Sequence, residues 1–320
     1  MRLSDPRLRS LLSRRLSRRA LLASAPILSA AALAACRDEA ARPTGSDHST
    51  AVAGDPATPT PAPDLRVSVL TRDLTPGPNR FVFALLNPDG SLVRDVLTRA
   101  SFRRGDTPTE TLFPVIRSLP HVGAAGEPKG VITYFVAEPA FDAPGDWSVD
   151  IEAASAEETR SARQYFTVLE GSRTPRLGMP AILSRTETAR DEADARRLCS
   201  RTPPCPFHTT TVAGAHASGR SIVLNFGSPA HDATSVSSSV LELLVGLHPA
   251  FADRFDFIHV EVWKEFDGSA FSPAVLEWGL LTEPWTFVID RQGRVAGRFE
   301  SVYNADEMTA ALDWLSRAAS

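Results

Sequence analysis

The sequence predicts two folded parts, an all-β sandwich followed by an α/β domain. Between residues 65 and 170, short apolar runs alternate with turns rich in glycine and proline, and no helical period is evident. This pattern is typical of an antiparallel sandwich. Over roughly the last hundred residues, apolar runs suited to buried strands are interleaved with patterns of helical period. With 320 residues, the chain is long enough for both parts after a leader is removed.

The sandwich is predicted over residues 65–170. Asn-Pro-Asp-Gly at residues 87–90 is a strong hairpin-turn signal directly after the apolar run FVFALL. Strands are predicted at residues 65–69, 81–86, 131–136, 147–151 and 164–169. The segment resembles the immunoglobulin-like modules of exported bacterial proteins, and Trp147 is expected in its core. Because it holds no cysteine and a single histidine, His121, we expect spacing or interaction rather than chemistry from this part.

The α/β domain is predicted over residues 171–320. Its strands are predicted at residues 221–226, 255–263, 285–290 and 295–299, and its helices at 240–247 and 304–315. Residues 188–198 have the composition of a short charged helix. The region up to residue 219 is expected to wrap on the domain as an extension of it.

The order of these elements resembles thioredoxin and its peroxiredoxin and SCO-type relatives. More specifically, it resembles bacterial extracytoplasmic thioredoxin-domain proteins, which carry FATPxxCxxxxCGP after the first strand. Residues 226–229, Phe-Gly-Ser-Pro, match the start of that motif, whereas Asp232 and Ser237 stand at the places of its two cysteines. Residues 282–285 stand where the family has a cis-proline loop. The resemblance implies an α/β thioredoxin-like domain preceded by an all-β immunoglobulin-like sandwich.

The resemblance also implies that the family's active site is vacant here. The helix N-terminus activates a thiolate in this family, but neither Asp232 nor Ser237 can cycle through a disulfide. The groove residues implied beside these positions are His231, Glu283, Pro284 and Trp285. Because the family uses this groove for partner binding, we expect a protein or peptide partner of the cell envelope, and we predict no catalytic residue and no cofactor. The alternative is that these polar residues only cap the following helix.

The N-terminus predicts export and lipidation. Residues 17–22, Ser-Arg-Arg-Ala-Leu-Leu, resemble a twin-arginine signal, and residues 33–36 resemble a bacterial lipobox ending in Cys36. We therefore predict a signal peptide over residues 1–36, lipid on Cys36, a flexible tether over residues 37–64 and an extracytoplasmic, membrane-anchored protein. The alternative is a single uncleaved anchor helix. Without residues 1–36 the chain has 27 basic and 37 acidic residues, a net charge of −10 that argues against a nucleic-acid partner.

Cys199 and Cys205 are the two cysteines that remain when Cys36 is assigned to lipidation. They lie close together in CSRTPPC, and in an oxidising compartment such a pair is expected to form a disulfide. Two alternatives remain open, a displaced redox pair and a copper or zinc site completed by His208, for which no fourth ligand is evident.

The remaining histidines offer weaker alternatives. His231 is placed to join His208, His216 or His259 in a metal site, although nothing in the spacing specifies one. His259 and Glu261 share one face of the strand FDFIHVEVW, so we expect them to lie near a strand end or to be hydrogen-bonded. A Ser-His-Asp hydrolase site around residues 231–239 is disfavoured, because such a triad is spatial and adjacency does not signal it.

The function that the sequence favours is a membrane-anchored, extracytoplasmic thioredoxin-domain protein that is redox-inactive and acts in binding or assembly. The first alternative is a thiol–disulfide oxidoreductase that uses Cys199 and Cys205. The second is a periplasmic carrier of copper or zinc.

Overall fold

The computed structural model describes residues 64–266 and 268–318. The strands are β1 (Arg66–Val69), β2 (Gly77–Pro78), β3 (Phe81–Leu86), β4 (Leu97–Arg104), β5 (Thr107–Leu112), β6 (Val115–Val122), β7 (Pro128–Ala137), β8 (Ala140–Phe141), β9 (Gly145–Ala154), β10 (Thr159–Val168), β11 (Ser221–Gly227), β12 (Phe255–Glu261), β13 (Trp285–Ile289) and β14 (Val295–Glu300). The helices are α1 (Glu192–Leu198), α2 (Val212–Ala217), α3 (Val236–Phe251), α4 (Pro273–Glu277) and α5 (Ala305–Ala318).

Two four-stranded antiparallel sheets form a β-sandwich in the first half of the described chain. Their strand orders are β1-β3-β7-β6 and β10-β9-β4-β5. Aromatic side chains from both sheets meet in one core; Phe81 of β3 contacts Phe102 of β4 edge to face, with ring centroids 5.1 Å apart. Trp147 is buried there as expected, and its Nε1 donates to the carbonyl of Ala143 at 3.1 Å.

The run FVFALL is apolar throughout because β3 is covered on both faces. Phe81, Phe83 and Leu85 point into the sandwich core, whereas Val82 belongs to a second core that continues into the C-terminal part. Alternate residues of a strand face opposite sides of its sheet, so a strand covered on both sides loses the polar alternation of an exposed one.

The C-terminal part is built on a mixed sheet with the order β12-β11-β13-β14. β11 is parallel to β12, antiparallel to β13, and β13 is antiparallel to β14. Helix α3 connects the parallel pair, and all seven residues of β11 are buried. One face of the sheet packs on α3, α5 and the sandwich, and the other packs on α2 and α4 around Trp278.

Polar contacts tie the sandwich to the mixed-sheet part. Glu307 at the start of α5 accepts hydrogen bonds from Arg80 at 2.7 Å and from the Tyr134 hydroxyl at 2.7 Å. Arg298 of β14 pairs with Asp73 and lies over the Trp285 ring, 5.0 Å from its centroid. All described residues fall within one compact unit, 59–320.

The predicted fold class, an α/β thioredoxin-like domain preceded by an all-β immunoglobulin-like sandwich, is wrong for this chain, because the described residues are mostly β-sheet. They form fourteen strands in four sheets against five helices, two of them of only five or six residues. The physical reason lies in the C-terminal part, where three of the four strands are joined by antiparallel pairing and only one pair, β11 and β12, is parallel. Residues 171–219, which the prediction counted as part of the α/β domain, contribute little regular structure.

The predicted signal peptide (residues 1–36), lipidation at Cys36 and nearly all of the tether (37–64) lie outside the described residues. Within the described part of the chain, no helix has the length and hydropathy needed to cross a membrane.

Candidate metal centre

Four buried side chains converge beside the edge strand of the mixed sheet. The potential ligand atoms of Cys199, Cys205, His208 and His259 all lie within 4.8 Å of one another. Each of these residues is at most 4 % exposed. The other three are each separated from His259 by more than fifty residues in sequence, so only the folded chain assembles the group.

Three local features place the ligands. Helix α1 ends at Leu198, and Cys199 follows it in extended conformation. The segment around Phe207 lies beside β12, and the His259 amide donates to the Phe207 carbonyl at 3.0 Å. His259 itself stands in the middle of β12, opposite Asn225 of β11. The segment that carries Cys205 and His208 is thereby held against the strand that carries His259.

The distances suit a four-coordinate metal ion. The Cys205 Sγ lies 3.3 Å from His208 Nε2 and 3.5 Å from His259 Nδ1. Tetrahedral zinc, with bonds of about 2.3 Å to sulfur and about 2.0 Å to nitrogen, separates a sulfur ligand from a nitrogen ligand by about 3.5 Å. The side chains are therefore spaced as a tetrahedral ion requires.

The surroundings shift the pKa values of these four groups in different directions. The hydrogen bond from the Cys205 thiol, together with the nearby imidazoles, holds the pKa of Cys199 well below its usual range, whereas burial raises the pKa of Cys205. Burial lowers the pKa of His208, which favours its neutral, metal-binding form. For His259, burial acts to lower the pKa, but the charges of Cys199 and Glu261 outweigh it and the pKa is raised.

The predicted disulfide between Cys199 and Cys205 is not formed in the structure, where both are free thiols. The physical reason is that the two sulfurs share their space with two imidazoles, so both face a common centre with nitrogen ligands. The structure brings His208 and His259 to this centre but not His231, which is exposed and lies near Phe266. His216 packs against Gly293 instead.

The fourth ligand, His259, is the residue that sequence reasoning did not connect with the cysteines. A usable signal was present, because His259 stands between the apolar residues Ile258 and Val260 and therefore needed a partner inside the fold. The pairing of β12 with the chain around Phe207 supplies that partner, and no local sequence pattern reports such a pairing.

At the positions where the resemblance places two cysteines, polar groups cap the helix. The Asp232 carboxylate accepts the Ser237 amide at 2.7 Å and the Thr234 amide at 2.8 Å. The Ser237 hydroxyl donates to Glu283 at 3.3 Å, and burial, reinforced by the charge of Asp232, raises the pKa of Glu283. This arrangement agrees with the capping alternative, in which a carboxylate satisfies a free amide at the start of α3.

Trp285, one of the predicted groove residues, is 2 % exposed, stacks on Phe287 and donates to Thr282 at 3.0 Å. Pro284 follows a cis peptide bond, as the resemblance implied.

The hairpin between β6 and β7 approaches the start of α3, where Lys129 donates to the Ser235 hydroxyl at 2.9 Å.

Both histidines of the centre line a cleft of about 230 Å³ that reaches the surface beside Arg185, Arg197 and Lys264. A cleft of this kind supplies the entry path that a buried metal centre requires.

No family model matches this chain, and no curated protein matches it. Among solved structures, the chain is similar to the solution structure of the PKD domain from the human VPS10 domain-containing receptor SorCS2, with 14 % sequence identity and a TM-score of 0.19. The match covers 43 % of this chain and 98 % of that chain. A TM-score this low carries no argument about fold or function, so the case for function depends on the centre formed by Cys199, Cys205, His208 and His259.

Proposed function

We propose that this chain is an extracytoplasmic, membrane-anchored protein that binds one zinc or copper ion through Cys199, Cys205, His208 and His259. The observation that carries the proposal is the convergence of two thiols and two imidazoles within 4.8 Å in a buried centre. The export and anchoring part of the proposal is supported by the sequence of residues 1–36.

The ligand types select the metal class. Thiolate and imidazole favour Zn²⁺ and Cu⁺, whereas Mg²⁺ and Ca²⁺ prefer oxygen ligands. Two thiolates neutralise a divalent ion, and two neutral imidazoles complete a tetrahedral shell without further charge.

Burial favours holding the ion over catalysis on it. A catalytic zinc site keeps one coordination position for water or substrate, while this centre offers four protein ligands that are each almost fully buried. Such a closed shell supports a role in which the protein retains the ion, either to carry it or to stabilise the fold.

The test is metal titration of the purified full-length chain under anaerobic, reducing conditions. Zn²⁺ and Cu⁺ are titrated separately against a chromophoric chelator, and bound metal is counted by elemental analysis. We expect one equivalent for the native chain and loss of tight binding in Cys199→Ser, Cys205→Ser, His208→Gln and His259→Gln. Matched controls are Cys36→Ser and His231→Gln, which should retain the full equivalent.

The stability of the protein provides a second readout. A ligand that binds the native state alone stabilises it by about 2.7 kcal/mol at a free concentration one hundred times its Kd. Chelation should therefore lower the melting temperature of the native chain and leave that of Cys199→Ser unchanged.

Absence of metal binding by the native chain would overturn the proposal. If the two thiols then equilibrate with glutathione near the potentials of disulfide-exchange proteins, about −120 to −270 mV, the oxidoreductase alternative would replace it.

A further inference from the structure

A buried carboxylate lines the same cleft as the two histidines of the proposed metal centre. Glu261 is 5 % exposed and stands two residues after His259 on β12. Its carboxylate accepts the amide of Ser200 at 2.9 Å and the hydroxyl of Ser200 at 2.8 Å. Because Ser200 follows Cys199, Glu261 connects the strand of one ligand to the loop of another.

The charge of Glu261 is not neutralised by these contacts. Both hydrogen bonds come from neutral donors of Ser200, and the carboxylate is removed from water by burial. A charge in such surroundings acts on its neighbours far more strongly than a charge at the surface.

The charge of the whole centre therefore depends on the metal. With both cysteines as thiolates and both histidines neutral, Zn²⁺ makes the four-ligand centre neutral, whereas Cu⁺ leaves it with one negative charge. The Glu261 carboxylate adds another negative charge to either complex. Its attraction for the ion is proportional to the charge of the ion, so it stabilises Zn²⁺ twice as strongly as Cu⁺.

We propose that Glu261 is a specificity-determining residue that biases the centre towards Zn²⁺ over Cu⁺. This inference rests on the proposed function and deepens it, because it names the preferred ion. Glu261 also holds Cys199 in place through Ser200, and that positioning role must be separated from the effect of its charge.

Two substitutions separate charge from position. Glu261→Gln removes the charge and keeps an oxygen that can accept from Ser200, whereas Ser200→Ala keeps the charge and removes one of the two hydrogen bonds. Glu261→Asp keeps the charge on a shorter side chain. Affinities of the full-length chain for Zn²⁺ and for Cu⁺ are measured in the same buffer at one pH.

We expect Glu261→Gln to weaken Zn²⁺ binding by about tenfold and Cu⁺ binding by about threefold, which is half the effect on a logarithmic scale. Ser200→Ala should weaken both ions by the same factor, and Glu261→Asp should keep the native ratio of the two affinities. If Glu261→Gln abolishes binding of both ions, the comparison passes to Glu261→Asp. A native ratio of Zn²⁺ to Cu⁺ affinity in Glu261→Asp then supports the role of the charge.

Equal loss of Zn²⁺ and Cu⁺ affinity in Glu261→Gln would overturn the inference and reduce Glu261 to a positioning residue. A changed ratio in Glu261→Asp would overturn it as well. Failure of the proposed function is distinguishable, because the native chain would then bind neither ion.

Discussion

The Nε2 of His259 donates a hydrogen bond to the main-chain carbonyl of Gly227 at 3.0 Å. A carbonyl oxygen only accepts, so this contact places a proton on Nε2, and in the neutral ring the lone pair of Nδ1 then faces the Cys205 sulfur. Metal-binding histidines typically use their second nitrogen in this way, since the hydrogen bond fixes both tautomer and ring orientation. The end of β11 thus prepares His259 on β12 as a ligand.

The two histidines are therefore expected to bind metal through different nitrogens. His259 should coordinate through Nδ1, and His208, whose Nε2 faces Cys205, should coordinate through Nε2. Nitrogen-15 spectra of the zinc-loaded protein report which ring nitrogen carries a proton in each residue. Coordination of both rings through the same type of nitrogen would contradict the geometry.

Glu307 is expected to contribute strongly to stability. It accepts from Arg80 and Tyr134, and the Glu307 and Arg80 side chains are only 14 % and 19 % exposed. Glu307→Gln leaves the Arg80 guanidinium without its anion in a place that water hardly reaches. We therefore expect the free energy of unfolding, measured in urea, to fall by about 2–3 kcal/mol.

The matched control is Glu152→Gln, which removes the anion of a more exposed pair with Arg99. Exposed pairs are worth about 0–1 kcal/mol, so this variant should unfold almost as the native protein does. A similar loss of unfolding free energy in both variants would show that burial does not determine how much the Glu307 contacts stabilise the protein.

Stability should fall with rising pH through Glu283. Burial, and next the charge of Asp232, raise the pKa of Glu283 above its ordinary value of 4.5. Between that value and the native pKa the folded state binds more protons than the unfolded state, so the free energy of unfolding decreases as pH rises. Below this interval Glu283 is protonated in both states and does not contribute to the pH dependence of the free energy of unfolding.

Glu283→Gln should make this decrease shallower, because the variant has no proton to lose at this position. Urea unfolding of both proteins in steps from pH 4.5 upwards measures the difference, and an NMR titration of the Glu283 carboxyl locates the native pKa. Parallel pH profiles for the two proteins would count against a raised pKa.

Gly279 is expected to tolerate no side chain. It has φ +66°, and an added Cβ would lie 2.5 Å from the carbonyl oxygen of Arg173. Gly279→Ala should therefore cost at least about 2 kcal/mol in unfolding free energy, from backbone strain and this clash together.

Gly246 provides the opposite case. It lies in helix α3 with nothing within 4 Å of the added Cβ, so Gly246→Ala should stabilise the protein by about 0.5–1 kcal/mol. Unfolding in urea measures both variants, and a loss of stability in Gly246→Ala would refute the reasoning for α3.

Strands that are covered on both faces could be predicted from the sequence. FVFALL is a continuous apolar run, SIVLNFG is apolar except for Ser221 and Asn225, and the structure has strands at both. Strands β4 and β6 were not predicted, because their polar and charged residues obscure the alternation. In β4 only Thr98, Ala100 and Phe102 turn inward, while arginines occupy the outer face. One buried face needs apolar residues only at alternate positions, which makes a weak signal over eight residues.

The sequence by itself determined the elements whose pattern is local: the buried strands, helix α5 and the hairpin turns. It also supplied Cys199, Cys205 and His208 within ten residues of one another. Only the tertiary structure decided that His259 completes the group and that Glu261 lines the same cleft. The physical reason is that both lie on β12, whose pairing with the chain around Phe207 depends on backbone hydrogen bonds between distant segments, and those bonds leave no pattern in the side chains.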